Sequence, residues 1–256
     1  PVCVPPPSGL VAWWSGDGHA QDLAGTNHGI LMNGATFAPG KVGEAFAFDG
    51  VNDAVDLGHW FDFQTFSLLL WVKAGPSQVT HADILDNNHT GDRSWVVQYV
   101  NASDATNHYF MWHGAGVGFI QFGLAIDRWQ HVAITLDTNR LAQVYLDGTP
   151  AGSLQGSGPI VYDGSQSLRI SGWGLGGRHF NGQVDELAVF NRALSLAEVQ
   201  AIVSAGSAGV CKGGPWVNRQ PASQAKFCGQ TVIFTVEPGG VAPLSYQWRK
   251  DGADLA

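Results

Sequence analysis

Charge is what this chain has least of. Only 13% of its 256 residues are Asp, Glu, Lys or Arg, and the balance is −8. A sparse, acidic charge set opposes nucleic acid and anionic membranes and is compatible with divalent cations. Long apolar runs are missing too, so no stretch reads as a membrane-spanning helix and no membrane insertion is expected. Alternating helical segments are absent, and without them the crossovers of a parallel α/β sheet cannot be built. The chain has no HExxH zinc helix. It also has no G-x-S-x-G nucleophile elbow. Cysteine is scarce, at three residues: Cys3, Cys211 and Cys228. Cys3 and Cys211 bracket the main unit, and sandwiches of sheets bring their ends together. That placement points to a Cys3–Cys211 disulfide and an oxidising compartment; three free thiols and a Cys211–Cys228 bond are the alternatives.

What is abundant is glycine, at 34 residues, tryptophan, at 10, and apolar side chains, at 45%. That composition favours many turns and aromatic-rich sheets. The stretch Phe180–Gly206 organises the rest. Asn181-Gly182 reads as a hairpin turn. QVDELAVF reads as a strand with Val184, Glu186, Ala188 and Phe190 on one face and Asp185, Leu187 and Val189 on the other. Ser195-Leu196-Ala197-Glu198 is a capping box. It opens a helix with Leu196, Val199, Ile202 and Val203 as its apolar stripe and Gly206 as its stop. Upstream, LVAWW starts the core, Asn33-Gly34 marks a hairpin turn, and FSLLLWVKA is apolar on both faces, as a central strand is. SWVVQYVN, HYFMWHG and VGFIQFGLA are three further strands, and Asp147-Gly148 turns another pair. Turns at short spacing with one good helix predict an all-β fold, a two-sheet antiparallel jelly-roll sandwich.

The matching blocks GLVAWWSGDGHAQDLAGTNHGIL, GKVGEAFAFDGVNDAVDLG, FSLLLWVK, WQHVAITLD with VYLDGTPAG, and FNGQVDELAVFNRALSLAEVQAI resemble the laminin-G-like, concanavalin-A-like jelly rolls of large secreted bacterial proteins. The resemblance covers most of residues 9–206. The tail from Gln220 resembles the first strands of an immunoglobulin-like domain, with Trp248 as its core tryptophan and Cys228 left without a partner. The expected organisation is a jelly roll over 1–206, a linker over 207–214 and a truncated immunoglobulin-like segment over 215–256.

Candidate sites follow. Asp17, Asp22 and Asn27 share one oxygen-rich loop, and the resemblance places Asp185 beside it with a structural Ca²⁺. The ion would staple the first loop to the last strand without chemistry. The long polar loop His81–Arg93 offers Asp83, Asp86, Asn88 and Asp92 to a sugar or a second ion, although it lacks an EF-hand's closing glutamate. Trp60, Trp112 and Trp173 fall near turns, where an exposed indole can stack on a sugar ring, with Trp173 the foremost of them. Trp13, Trp14, Trp71, Trp95 and Trp129 lie in strands and read as core. The carboxylate pattern E-x-D-x-x-E of jelly-roll glucanases is absent, and Asp185 and Glu186, adjacent on a strand, point to opposite faces. The expected function is therefore non-catalytic. It is a secreted or cell-surface adhesion or carbohydrate-binding module, with a glycan or cell-surface ligand and further immunoglobulin-like domains of the same parent chain as partners. A spacer that displays other domains, and a glycan hydrolase or lyase, are the competing expectations.

Overall fold

The structure is a computed structural model that describes residues 2–87, 94–101, 104–113, 117–162, 167–173, 176–212, 216–219, 221–225, 227, 229–239 and 246–255. In chain order the strands are β1 (Leu10–Trp14), β2 (Ile30–Met32), β3 (Thr36–Pro39), β4 (Glu44–Asp49), β5 (Ala54–Asp56), β6 (Phe66–Ala74), β7 (Asp83–Asp86) and β8 (Ser94–Asn101). There follow β9 (Asp104–His113), β10 (Val117–Gly123), β11 (Trp129–Leu136), β12 (Leu141–Leu146), β13 (Thr149–Gln155), β14 (Arg169–Ile170), β15 (Asn181–Phe190) and helix α1 (Leu196–Ala205).

These strands form two antiparallel sheets. One runs β13-β12-β11-β6-β15-β4-β3, with β1 added against β15; the other runs β10-β9-β8-β7-β14-β5-β2. The expected sandwich is what forms, because each sheet has one apolar face to bury against the other. Trp14, Phe66, Leu68 and Leu70 from the first sheet meet Trp95, Val97, Phe110 and Ile170 from the second in the main core. β6 is central, between β11 and β15, as its two apolar faces require. Its second face, at Leu69, joins Trp13, Ala133, Phe190, Val199 and Ile202 in a smaller core under α1. So the helix covers the outer face of the eight-stranded sheet.

The capping box is present: Ser195 and Glu198 each satisfy the other's backbone amide. Val199 and Ile202 are buried, but Leu196 is exposed and Ala205 takes its place on the buried stripe. Three local readings change. Asn181-Gly182 is the start of β15, paired with Asp49 and Phe48, and makes no hairpin. Asn33-Gly34 is a turn, but it passes the chain from one sheet to the other, since β2 and β3 lie in different sheets. The face assignment of β15 also changes, because Glu186 has φ +55° and the pairing with β6 slips between Asp185 and Ala188. This bulge inserts an extra residue, so Val184 shares the main core with Leu187 and Val189. Asp147-Gly148, at φ +50° and +74°, is a true hairpin turn joining β12 to β13.

Cys3 and Cys211 form the expected disulfide, 208 residues apart in sequence. Beside it Val4 and Val210 pair in parallel, with Val4 N donating to Gly209 O at 3.1 Å and Cys211 N to Val4 O at 2.9 Å. Cys228 lies outside the described residues. Farther on, β16 (Trp216–Arg219) pairs with β17 (Glu237–Gly239), and β18 (Arg249–Lys250) with β19 (Ala253–Asp254). Among the described residues no helix is long and apolar enough to cross a membrane.

Candidate functional site

The seven-stranded sheet carries a polar row on the face turned away from the core. Asp83 of β7 opposes Gln98 of β8, Gln98 opposes Tyr109 of β9, and Tyr109 opposes Gln121 of β10. Strand alternation explains why these side chains share a face: Trp95, Val97, Phe110, Ile120 and Phe122 point the other way, into the core. The row is hydrogen-bonded in sequence. The Tyr109 hydroxyl donates to Gln98 Oε1, and Gln98 Nε2 donates to Asp83 Oδ1 at 2.9 Å. Phe119, 61% exposed, lies beside Tyr109 with ring centroids 6.3 Å apart. A large apolar ring left in water next to an ordered polar row is what an amphipathic ligand needs.

The segment before β15 closes one side of this row. Its backbone bends sharply: Ser171, Gly172, Gly176, Gly177 and Arg178 all have positive φ. At Gly172 a Cβ would meet the His179 ring at 2.5 Å, so only glycine fits there. Ser171 fixes the bend, its hydroxyl donating to Asp53 O at 2.7 Å and accepting from Phe180 N at 3.0 Å. The result places Arg178 over the Trp173 ring, 4.4 Å from its centroid, and lets Arg178 O accept from Asp83 N at 2.7 Å.

Asp83 is fully buried, and its Oδ2 has no hydrogen-bond partner among the described residues. Burial, then the neighbouring charge of Asp86, push its carboxyl well above the usual range, while Arg178 and Gln98 pull it back. Burial and then Asp83 raise Tyr109 as well, which keeps its hydroxyl protonated as the donor in the row. Burial and Arg178 lower His81. The structure thus brings Asp83, Asp86 and Trp173 to one place. Asn88 and Asp92 lie outside the described residues. Trp112 opposes Trp95 and Gly118 in β9. Trp60 belongs to the rim of the core: it packs on Trp14, Phe61 and Phe63, and its indole N–H donates to Leu57 O at 2.9 Å. Sequence reading missed Gln98, Tyr109, Phe119 and Arg178. Alternation in SWVVQYVN and VGFIQFG could have put Gln98 and Phe119 on outward faces, but the register that joins them is a long-range property.

The four residues expected around an ion are divided. Asp22 is spent on its own loop: Oδ1 accepts from the amides of Trp13, Ala24 and Gly25 at 2.9–3.0 Å, and Oδ2 from Asn27 at 3.1 Å. Asn27 supplies a backbone oxygen to the Trp14 indole N–H at 2.8 Å. Asp22→Ala, which orphans these amides, is expected to cost about 1–3 kcal/mol, read as a lower urea midpoint. Asp17 and Asp185 do come together, but with Glu186 and around Lys212. Lys212 Nζ lies 2.5 Å from Asp17 Oδ2 and 2.5 Å from Glu186 Oε1. The bulge at Glu186 is the reason both neighbours in sequence reach one cluster, contrary to the alternation expected of them. Among the described residues no three His, Cys, Asp or Glu side chains form a group suited to a metal ion. Calcium wants six to eight oxygens. Here both Asp22 oxygens meet N–H donors and Asp17 Oδ2 meets Lys212.

Residues 49–200 match the family Laminin_G_3, described as the concanavalin A-like lectin/glucanases superfamily. No curated protein matches the chain. Among solved structures, domain 4 of AbnA, a GH43 extracellular arabinanase from Geobacillus stearothermophilus, in complex with arabinotriose, is 20% identical at a TM-score of 0.62, covering 75% of this chain and 96% of that one. The binding domain of botulinum neurotoxin DC in complex with SialylT is 12% identical at a TM-score of 0.62, covering 77% of this chain and 52% of that one. The binding domain of Paraclostridial Mosquitocidal Protein 1 is 13% identical at 0.57, with coverages of 77% and 52%. The chain thus spans about half the length of these toxin domains. At such identities the likeness is one of fold.

Proposed function

Because the chain belongs to the concanavalin A-like lectin/glucanases superfamily, we propose that it is a non-catalytic extracellular module that binds a glycan on the outer face of its seven-stranded sheet. The observation that carries this reading is the hydrogen-bonded row Asp83–Gln98–Tyr109 beside the exposed Phe119 and the Trp173–Arg178 pair. Sugars present hydroxyls on their edges and C–H groups on their faces. Tyr109, the half-buried end of the row, is placed to meet the first, held in position by the buried Gln98 and Asp83 behind it, and the rings supply apolar surface for the second. Two of the similar structures hold such ligands, arabinotriose in the arabinanase domain and SialylT in the toxin domain. The disulfide supports secretion, since such bonds persist in oxidising compartments. The segment from Trp216 is read as the opening of an immunoglobulin-like domain, supported by its short antiparallel pairs.

The test is a glycan array followed by calorimetric titration of the best hit. Phe119→Ala and Trp173→Ala are each expected to weaken binding about 10-fold, the loss of roughly 1.4 kcal/mol of ring contact. An array on which nothing is retained, or retention indifferent to both substitutions, removes this reading and leaves the spacer.

A further inference from the structure

We propose that the Lys212 ammonium is the resident cation of the Asp17–Asp185–Glu186 cluster, held there in place of a divalent ion by the disulfide one residue before it. Asp17 Oδ1 accepts from Glu44 N at 3.0 Å, Asp185 Oδ2 from Lys41 N and Val42 N at 2.8 Å each, and Glu186 Oε2 from the Trp13 indole N–H at 3.0 Å. Those oxygens are committed to N–H donors. Asp17 Oδ2 and Glu186 Oε1 both face Lys212 Nζ at 2.5 Å. Asp185 Oδ1 and Glu186 Oε1 are buried and make no hydrogen bond among the described residues, the second meeting Lys212 as an ion pair only. Two carboxylate oxygens fall short of a divalent shell, whereas an ammonium needs only the few acceptors it has.

The position of Lys212 is fixed by the chain. Cys211 is bonded to Cys3, its amide donates to Val4 O, and Val210 pairs with Val4. Lys212 is exposed as a residue, but the chain on its N-terminal side is anchored and two carboxylates hold its ammonium. It joins a loop residue, a bulged strand and the end of the domain, which is the staple that an ion would otherwise provide.

The test is thermal unfolding of the full chain in calcium and in chelator, with calorimetric titration of calcium. Wild-type Tm is expected to be the same in both, with no binding heat. Lys212→Met is expected to lower Tm in chelator by ~4–8 °C and to regain part of it in millimolar calcium, because Asp17 Oδ2 and Glu186 Oε1 become free. Lys212→Arg, which keeps the charge, is expected to stay calcium-indifferent. A wild-type Tm that rises with calcium and loses the rise in Asp17→Asn overturns the proposal. So does a Lys212→Met chain as stable as wild type in chelator. If Lys212→Met does not fold, wild type and Lys212→Arg decide alone: calcium binding by either counts against the proposal, and its absence in both supports it.

Discussion

A chain with serine at both Cys3 and Cys211 is expected to lose about 2–5 kcal/mol of stability, among the largest losses available to a double substitution here. The bond closes a loop of 208 residues, and opening it returns that loop's conformational freedom to the unfolded state. A native-state loss adds to this. Without the bond, the Val4–Val210 pairing and the seat of Lys212 depend on two backbone hydrogen bonds and the packing of the two valines on the smaller core. Lys212 can then drift from Asp17 and Glu186, leaving buried carboxylates without their cation. Equilibrium urea unfolding should therefore show a lower midpoint for the serine variant, and the same midpoint for wild type under reductant. Combining it with Lys212→Met should give less than the sum of the two losses, because the disulfide acts partly through Lys212. A midpoint equal to that of wild type, or strictly additive losses, contradicts this account.

The residues that could be read from sequence are those whose partners are near in sequence or dictated by period. The doubly apolar β6 and the capping box at Ser195 each specify local structure, and the sandwich follows because such strands must bury their apolar faces. Asp147-Gly148 set a hairpin for the same reason. Asn33-Gly34 has similar turn chemistry, yet it joins different sheets, since a turn does not choose which neighbour the next strand takes. The bulge at Glu186 was invisible because glutamate has no local preference for positive φ. It is also decisive: it sends Asp185 and Glu186 to one cluster. Lys212 reaches Asp17 across 195 residues, and nothing in either neighbourhood announces it. The polar row and its surroundings were half legible. Asp83, Asp86 and Trp173 stand out by residue type, whereas Gln98, Tyr109 and Phe119 matter only through their register with neighbouring strands.

The acidic cluster also sets a pH dependence whose direction separates the two ways of neutralising it. Burial pushes the Glu186 carboxyl up to about 8; Lys212 opposes this, and the charges of Asp185 and Asp17 add to it. Burial likewise pushes Asp185 up to about 7, against the Val42 amide, Lys212 and the Lys41 amide, with Asp17 adding to the rise. Asp17 itself ends below its ordinary value, because hydrogen bonds from Lys212 and Glu44 outweigh its burial. Both raised groups keep their protons to higher pH in the folded chain than in the unfolded one, so the contact of Glu186 with Lys212 becomes a full ion pair only as pH passes about 8. Their contribution to stability is fully present below the unfolded values and is lost as pH rises through about 7 and about 8. His131, pushed down to about 4 by burial despite Asp147, acts in the opposite direction, but only below its ordinary 6.5. Between that point and about pH 8.5, then, raised carboxyls set the slope, the buried Asp83 of the other sheet adding in the same direction, and stability should fall by on the order of 2 kcal/mol as pH rises. Urea midpoints across this range measure the fall, and Glu186→Gln should flatten it. A cluster held by a divalent ion would behave otherwise, since its ligands must be deprotonated to bind and a rising pH would stabilise it. A midpoint that climbs from pH 6.5 to 8.5 in wild type, or a Glu186→Gln slope equal to that of wild type, would therefore count against both the protonated cluster and the lysine that completes it.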